Sequence, residues 1–210
     1  LAGGRELPIP PALKAGDVID RFEVLESLHA SRATRLYRVK ERATGQHYVL
    51  KTLAAGANDD AGELLAEEWM ARRVHSKFFP EVLALSSEER SALYYVMSYH
   101  AGATLQARLE AGQHFAAGNS AALGVQLLKA LGVLHRLNIV HRDIKPANLL
   151  LSEDGTLRIL DLGVALNAGA VHDGNAGNPG TPSFMAPELF SGASASPVTD
   201  LYAAGVTLYH

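Results

Sequence analysis

The chain is predicted to be an α+β protein of two lobes, an antiparallel-sheet lobe over 21–99 and a mainly helical lobe over 100–210. Three observations predict this. Short apolar strands separated by turn residues recur from Phe22 to Met97, a long helical apolar pattern sits at 120–137, and the character of the chain changes after Gly102.

Residues 1–20 are rich in Pro and Gly (Pro8, Pro10, Pro11, Gly16) and read as a linker. Strands follow at Phe22–Leu25, Arg35–Val39 and His47–Lys51, with the turn Thr44-Gly45 between the last two. Residues 54–62 are small and polar and predict a loop. Leu64, Ala71 and Val74 lie at helical spacing and predict a helix over 63–74. Two further strands are expected around Val82–Leu85 and Leu93–Met97, split by Ser86-Ser87-Glu88-Glu89. In the second lobe, Ala121, Leu123, Val125, Leu127, Leu128, Leu131 and Leu134 predict a mostly buried helix. Short apolar strands flank the polar run 141–148, and Gly/Asn-rich residues 167–180 predict a long loop of the functional kind. A cleft between two such lobes is a natural ligand site.

Composition narrows the classes. The 210 residues are 48% hydrophobic and 20% charged, with a net charge of −3, so no general attraction to nucleic acid or to an anionic membrane is expected. The absence of cysteine excludes disulfides and thiolate metal sites, and fits a reducing, cytoplasmic setting. No apolar run is expected to insert into a bilayer, and Leu1-Ala2-Gly3-Gly4-Arg5 is no signal peptide. The nine histidines show no paired ligand spacing. His135 is expected to pack beside the run 141–148, Arg72-Arg73 and Lys77 to form a solvated face, and Trp69 to be a packed core residue rather than the mark of a partner surface. The helix-like stretch Gly205–His210 has no breaker and reads as the start of a longer element, so the second lobe is expected to be incomplete.

The chemistry concentrates in a few polar residues. Hard Mg²⁺ prefers oxygen ligands and takes one or two protein side chains beside substrate phosphates, and Asn148 and Asp161 offer such oxygens. Asp143, on the loop of Asn148, can stand apart from the metal and accept a proton, while Lys145 places a positive charge where a transferring phosphoryl group needs one.

The run Ile139-Val140-His141-Arg142-Asp143-Ile144-Lys145-Pro146-Ala147-Asn148-Leu149-Leu150 resembles the catalytic loop of protein kinases. Asp161-Leu162-Gly163 resembles the family's metal-binding segment, with Leu in place of Phe. Residues 180–188 resemble its substrate-docking segment ending in Ala-Pro-Glu, and Thr199-Asp200-Leu201-Tyr202 the start of the helix whose Asp braces the catalytic loop. The resemblance spans roughly residues 20–210 and implies a two-lobed kinase-like fold that uses ATP and Mg²⁺ on a protein substrate. It implies that Asp143 orients and deprotonates the substrate hydroxyl, Asn148 and Asp161 hold Mg²⁺, and Lys145 neutralises the γ-phosphate. Lys145, together with Thr181 in the docking segment, resembles the serine/threonine branch.

Tyr48-Val49-Leu50-Lys51 is similar to the strand whose Lys binds the α/β-phosphates and pairs with a helix Glu. Glu67 is the expected partner, because Ala71 and Val74 then share its inward face, whereas a pairing by Glu68 would turn Arg72 inward. Tyr95–Gly102 resembles the hinge: Met97 would guard the back pocket, the backbones of Ser98 and His100 would bond the adenine edge, and Leu28, Leu36, Val49 and Leu150 would enclose the ring. Some phrases (Val39–Gln46 and Glu67–Val74) resemble bacterial kinases fused behind a metal-dependent phosphatase, which implies such a domain upstream of the linker.

Three departures bear on activity. Where the family carries three glycines over the phosphates, this chain has His29, Ser31 and Thr34, and the side chains should stiffen or lift that loop, with Arg32 and Arg35 nearby. Val49 replaces the common Ala and narrows the adenine ceiling. Residues 164–180 contain no Ser, Thr or Tyr, so control by phosphorylation there is not expected, although Arg142, which often receives such a phosphate, is present. The alternative reading is a pseudokinase, a nucleotide-binding or scaffolding module. Glu188, whose usual Arg partner would lie beyond His210, is expected to be exposed.

Overall fold

The computed structural model describes residues 7–57, 60–163, 165–167 and 181–209. It divides into two compact units, Leu1–Arg73 with Glu81–Tyr99, and Val74–Pro80 with His100–His210.

The first unit is built on an antiparallel sheet in the order β1 (Val18–Ile19), β2 (Phe22–Ala30), β3 (Thr34–Glu41), β4 (His47–Leu53) and β5 (Tyr94–Ser98). Alternation sets its faces: Tyr37 and Val39 of β3 are buried, while Arg38 and Lys40, one residue on from each, are partly exposed. The buried face gathers Phe22, Val24, Tyr37, Val39, Tyr48, Leu50, Tyr94 and Val96. Phe22 stands edge-on to Tyr48 and Tyr94, with ring centroids 6.0 and 6.4 Å apart. On the other face, cross-strand pairs Lys40–Glu23 and Arg38–Glu26, both at 3.1 Å, follow the strand register. The expected strand at Val82–Leu85 is reduced to a single bridge between Val82 and Met97 with a Leu83 N–H to Val96 carbonyl bond, because Leu85 turns into the core instead.

Residues 7–19, inside the expected linker, pack against this unit. Leu93 N–H donates to the Pro8 carbonyl (2.7 Å) and Leu13 N–H to the Tyr37 hydroxyl oxygen (3.2 Å). Leu7 and Ile9 sit on a cluster of Leu53, Leu64, Leu93, Tyr95 and Met97, and Leu13 on the larger core. Proline holds its neighbours in extended backbone, which suits a strap that turns Leu7 and Ile9, two residues apart, to the same side. The helix α1 (Ala61–Ala71) begins and ends earlier than expected. Arg72 and Arg73 N–H close its last turn onto Glu68 and Met70, and Val74 is buried beyond it. Trp69 is 55% exposed rather than in the core. It lies two residues from Glu67, about 200° around the helix from the buried side, and the Arg73 guanidinium stacks on it 4.6 Å from the ring centroid.

The second unit contains β6 (Gly102–Thr104), α2 (Leu105–Glu110), α3 (Ala117–Arg136), β7 (Ile139–Val140), β8 (Leu149–Ser152), β9 (Leu157–Ile159), β10 (Leu166–Asn167), α4 (Pro187–Phe190) and α5 (Pro197–Tyr209). Two small antiparallel sheets run β6-β8-β9 and β10-β7. Gly102, at φ 153°, lets β6 approach β8: a Cβ there would lie 2.5 Å from the Leu151 carbonyl oxygen. Thr104 caps α2 by accepting from Ala107 N–H at 3.1 Å.

The helix α3 starts three residues before the expected 120. It buries Leu123, Leu127, Ala130, Leu131 and Leu134, yet leaves Val125 and Leu128 half-exposed. It packs on β7, β9 and α5, with Gly124 facing Leu208 of α5. Contrary to expectation, α3 is long and apolar enough to cross a membrane by length and composition, although its buried stripe lies against its own unit. As expected, short strands (β7 and β8) flank the run 141–148. Residues 168–180 of the expected loop lie outside the described residues.

Tyr37→Phe removes the acceptor for Leu13 N–H and should lower stability by about 1 kcal/mol, read as a shifted urea midpoint with unchanged slope.

Candidate active site

In the second unit the loop 141–148 takes its shape from α5. Asp200, in the first turn of α5, is buried, and its two carboxylate oxygens accept the N–H groups of His141 and Arg142, both at 2.9 Å. His135 Nε2 lies 2.9 Å from the same carboxylate, so this histidine of α3 packs beside the loop through a polar contact. Between these anchors Arg142 adopts φ 71°, a left-handed conformation that a non-glycine residue keeps only when its surroundings enforce it. The result is a tight turn that sets Asp143 at its head.

Asp143 is the centre of a charged cluster. Its Oδ2 is 2.7 Å from Lys145 Nζ and accepts from Asn148 Nδ2 at 3.0 Å. Its Oδ1 accepts from both the N–H (3.1 Å) and the hydroxyl (2.8 Å) of Thr181. Lys145 Nζ also donates to Thr181 Oγ1 at 2.8 Å. Burial alone would raise the Asp143 carboxyl, but the hydrogen bonds from Lys145 and Thr181 outweigh it and hold it below the usual carboxylate range. Asp143 is therefore an anion at neutral pH. Asn148 points both its N–H bonds toward Asp143 (2.8 Å to the carbonyl), which orients its amide oxygen the other way. Asp161 Oδ1 accepts from Gly163 N–H at 2.8 Å, and Leu160 N–H, one residue before it, donates to the Asn148 carbonyl. These oxygen donors fit a hard cation. Among the described residues no group of three or more His, Cys, Asp or Glu side chains could hold a metal unaided, so Asn148 and Asp161 could hold one only with further ligands from phosphate or water.

His141, wholly buried, accepts from Asp143 N–H at Nδ1 (3.3 Å), which makes it the neutral tautomer protonated at Nε2. Burial lowers its pKa against the opposing fields of Asp200, Asp161 and Asp143.

In the first unit Lys51 Nζ and Glu67 Oε1 form a buried pair at 2.7 Å, and the Tyr95 hydroxyl donates to the same oxygen at 2.8 Å. Glu68 is buried as well, but its partner is Arg90 at 2.9 Å; Arg90 was not foreseen, and it lets Glu68 turn inward while Arg72 stays half-exposed. Met97 is buried among Leu53, Leu64 and Tyr95, with Val49 packed on the same cluster. Leu36 lies opposite Lys51 on β3, and Leu28 is largely exposed on β2. The Ser98 N–H donates to the Glu81 carbonyl (2.8 Å) and its hydroxyl accepts from Glu81 N–H (2.9 Å). In the second unit Leu150 is buried on β8, and burial followed by the charge of Arg158 lowers the pKa of His100 against Asp154. Glu188 is exposed, as expected.

The model of the protein kinase domain matches residues 22–210. The chain belongs to the protein kinase family. It is 30% identical over 194 residues to the serine/threonine-protein kinase gad8 of Schizosaccharomyces pombe, covering 91% of this chain and 34% of that protein. It is 29% identical over 190 residues to the serine/threonine-protein kinase PknK of Mycobacterium tuberculosis, covering 90% of this chain and 17% of that protein. To rhodopsin kinase GRK1 of Rattus norvegicus it is 34% identical over 175 residues, covering 80% and 31%. The chain thus spans about a third or less of the length of these relatives. The expected α+β kinase fold is borne out, with a sheet-based first lobe and a mainly helical second.

Asp200→Asn exchanges one acceptor for a donor facing a backbone N–H and should cost the kinase about 1–3 kcal/mol, measured by denaturant unfolding. The pH dependence of stability follows from His141. Its folded pKa lies below the unfolded value near 6.5, so the unfolded chain binds the proton first. Stability should be complete above that value and fall as pH drops through it. The slope between pH 7.5 and 5.5 should be shallower in His141→Gln.

Proposed function

We propose that this chain is the catalytic part of a serine/threonine protein kinase that transfers the γ-phosphate of Mg·ATP to a Ser or Thr hydroxyl of a protein. The observation that carries this reading is the hydroxyl of Thr181 seated on Asp143 at 2.8 Å beside the Lys145 ammonium. It shows an alcohol donating to an anionic carboxylate under a positive charge, which is the encounter that phosphoryl transfer to an alcohol requires.

In this reading Asp143 accepts the proton of the substrate hydroxyl as the oxygen attacks phosphorus. Asn148 holds Asp143 through one N–H bond to its carboxylate and one to its backbone carbonyl, and its amide oxygen together with Asp161 would hold the metal. Mg²⁺, when bound, offsets phosphate charge. Lys145 balances the charge gathering on the transferred group. Lys51, fixed by Glu67 and Tyr95, serves the α/β-phosphates. Thr181 doubles as part of the substrate-docking segment. Leu28, Leu36, Val49, Met97 and Leu150, with the Ser98 carbonyl and the His100 backbone, serve the adenine.

The pseudokinase reading draws support from the glycine-poor loop, whose amides bond within the loop. Phosphate transfer to a generic protein substrate separates the two. Asp143→Ala should lower the rate by about 10²–10⁴-fold, the usual contribution of a positioned general base. Equal rates in wild type and variant would reject catalysis by this site. We further propose a cytoplasmic, bacterial setting with a fused phosphatase ahead of residue 1. The wording of Val39–Gln46 and Glu67–Val74 supports it, the likeness to PknK of Mycobacterium tuberculosis supports its bacterial part, and the flanking gene sequence tests it.

A further inference from the structure

The turn between β2 and β3 lies where kinases carry their phosphate-covering loop. In a glycine-rich loop the tip N–H groups close on phosphate oxygens, which supply the acceptors the loop itself lacks. Here the loop supplies its own acceptor. Ser31 Oγ accepts from Thr34 N–H at 2.9 Å and from Ala33 N–H at 3.2 Å. The Ser31 N–H donates to the Thr34 carbonyl at 2.9 Å, and the Ala33 carbonyl accepts from Ala54 N–H at 2.7 Å, anchoring the tip to the end of β4. Three of the four tip N–H groups, those of residues 31, 33 and 34, therefore have partners within the loop. The side chain responsible stands at a position where a glycine would have none.

We infer that Ser31 acts as a built-in substitute for a phosphate oxygen: its hydroxyl holds the loop closed and withholds the Ala33 and Thr34 amides from the nucleotide. Ser31 is thus a positioning residue that sets how much of ATP affinity comes from the phosphate tail. The inference rests on the reading of this chain as an ATP-binding kinase. The nucleotide's phosphates then rely on Lys51, Lys145, the metal and any charge from exposed Arg32. Adenosine, which has no phosphates, should lose little by comparison with ATP.

Ser31 is exposed, so substitution leaves the core untouched. Affinities of the protein for ATP and for adenosine are measured by calorimetry in wild type, Ser31→Ala, Ser31→Gly and Ser31→Thr, with melting temperatures as a check on folding. Removing the hydroxyl in Ser31→Ala or Ser31→Gly should tighten ATP about tenfold or more, the effect of one regained hydrogen bond to a charged group, and leave adenosine unchanged. Ser31→Thr, which keeps the hydroxyl, should behave as wild type. In steady state the KM for ATP should fall in Ser31→Ala while kcat holds. An unchanged or lower ATP-to-adenosine affinity ratio in Ser31→Ala overturns the inference alone. Failure of every variant to bind either ligand overturns the nucleotide reading, and the inference with it.

Discussion

One buried carboxylate governs the loop 141–148 of this protein kinase domain. Asp200 is withdrawn from water, and an isolated charge in that position would be costly. It is sustained because two backbone N–H groups and an imidazole converge on it, all at 2.9 Å. The same convergence forces Arg142 into a left-handed conformation, which costs of order 1–3 kcal/mol unless the surroundings hold it. Strain and desolvation are thus offset by one set of hydrogen bonds. The head of the turn, Asp143, inherits its position from a helix that lies more than fifty residues further along the chain.

The two charged clusters solve different problems. Lys51 and Glu67 are both buried, and the pair is stabilised by the Tyr95 hydroxyl on the same oxygen. Its geometry is fixed by packing on α1 and β5. Asp143 and Lys145 are less buried, and Thr181 and Asn148 share them. Under the proposed function this cluster exchanges partners during the reaction, which a pair locked as Lys51 and Glu67 are could not do. The hydroxyl of Thr181 lies on Asp143, and in the proposed reading an incoming substrate hydroxyl takes its place without leaving the carboxylate bare.

Sequence reasoning reached the residues whose chemistry is tied to local spacing. His141 to Asn148, Asp161 and Asp200 lie in short runs whose resemblance to protein kinase motifs implies their use, and Glu67 was separated from Glu68 by helical phase. The partners supplied from afar were not legible: Tyr95 for Glu67, Arg90 for Glu68, and Asp200 for His135. Each joins residues 22 or more positions apart, and nothing in a linear pattern marks such pairs. Trp69 was misplaced for a related reason. It was expected in the core, but its phase on α1 turned it out, and the nearby Arg73 covers its ring. The strap at residues 7–13 was missed because Pro and Gly were read as punctuation, while the alternation of Leu7 and Ile9 between them carries the packing.

The loop at Ser31 shows how a departure from a family pattern is read physically. Losing glycine was expected to stiffen the loop through crowding by side chains. The stiffening instead has a chemical source, since the serine hydroxyl is the right length to reach two amides of its own turn. A bulkier apolar residue at the same place would block approach without satisfying those amides. Serine satisfies them, so the closed tip carries no unpaired N–H penalty at Ala33 or Thr34 and has no need of a ligand to be ordered. Order and phosphate affinity, which rise together in a glycine loop, are here separated by a single oxygen atom.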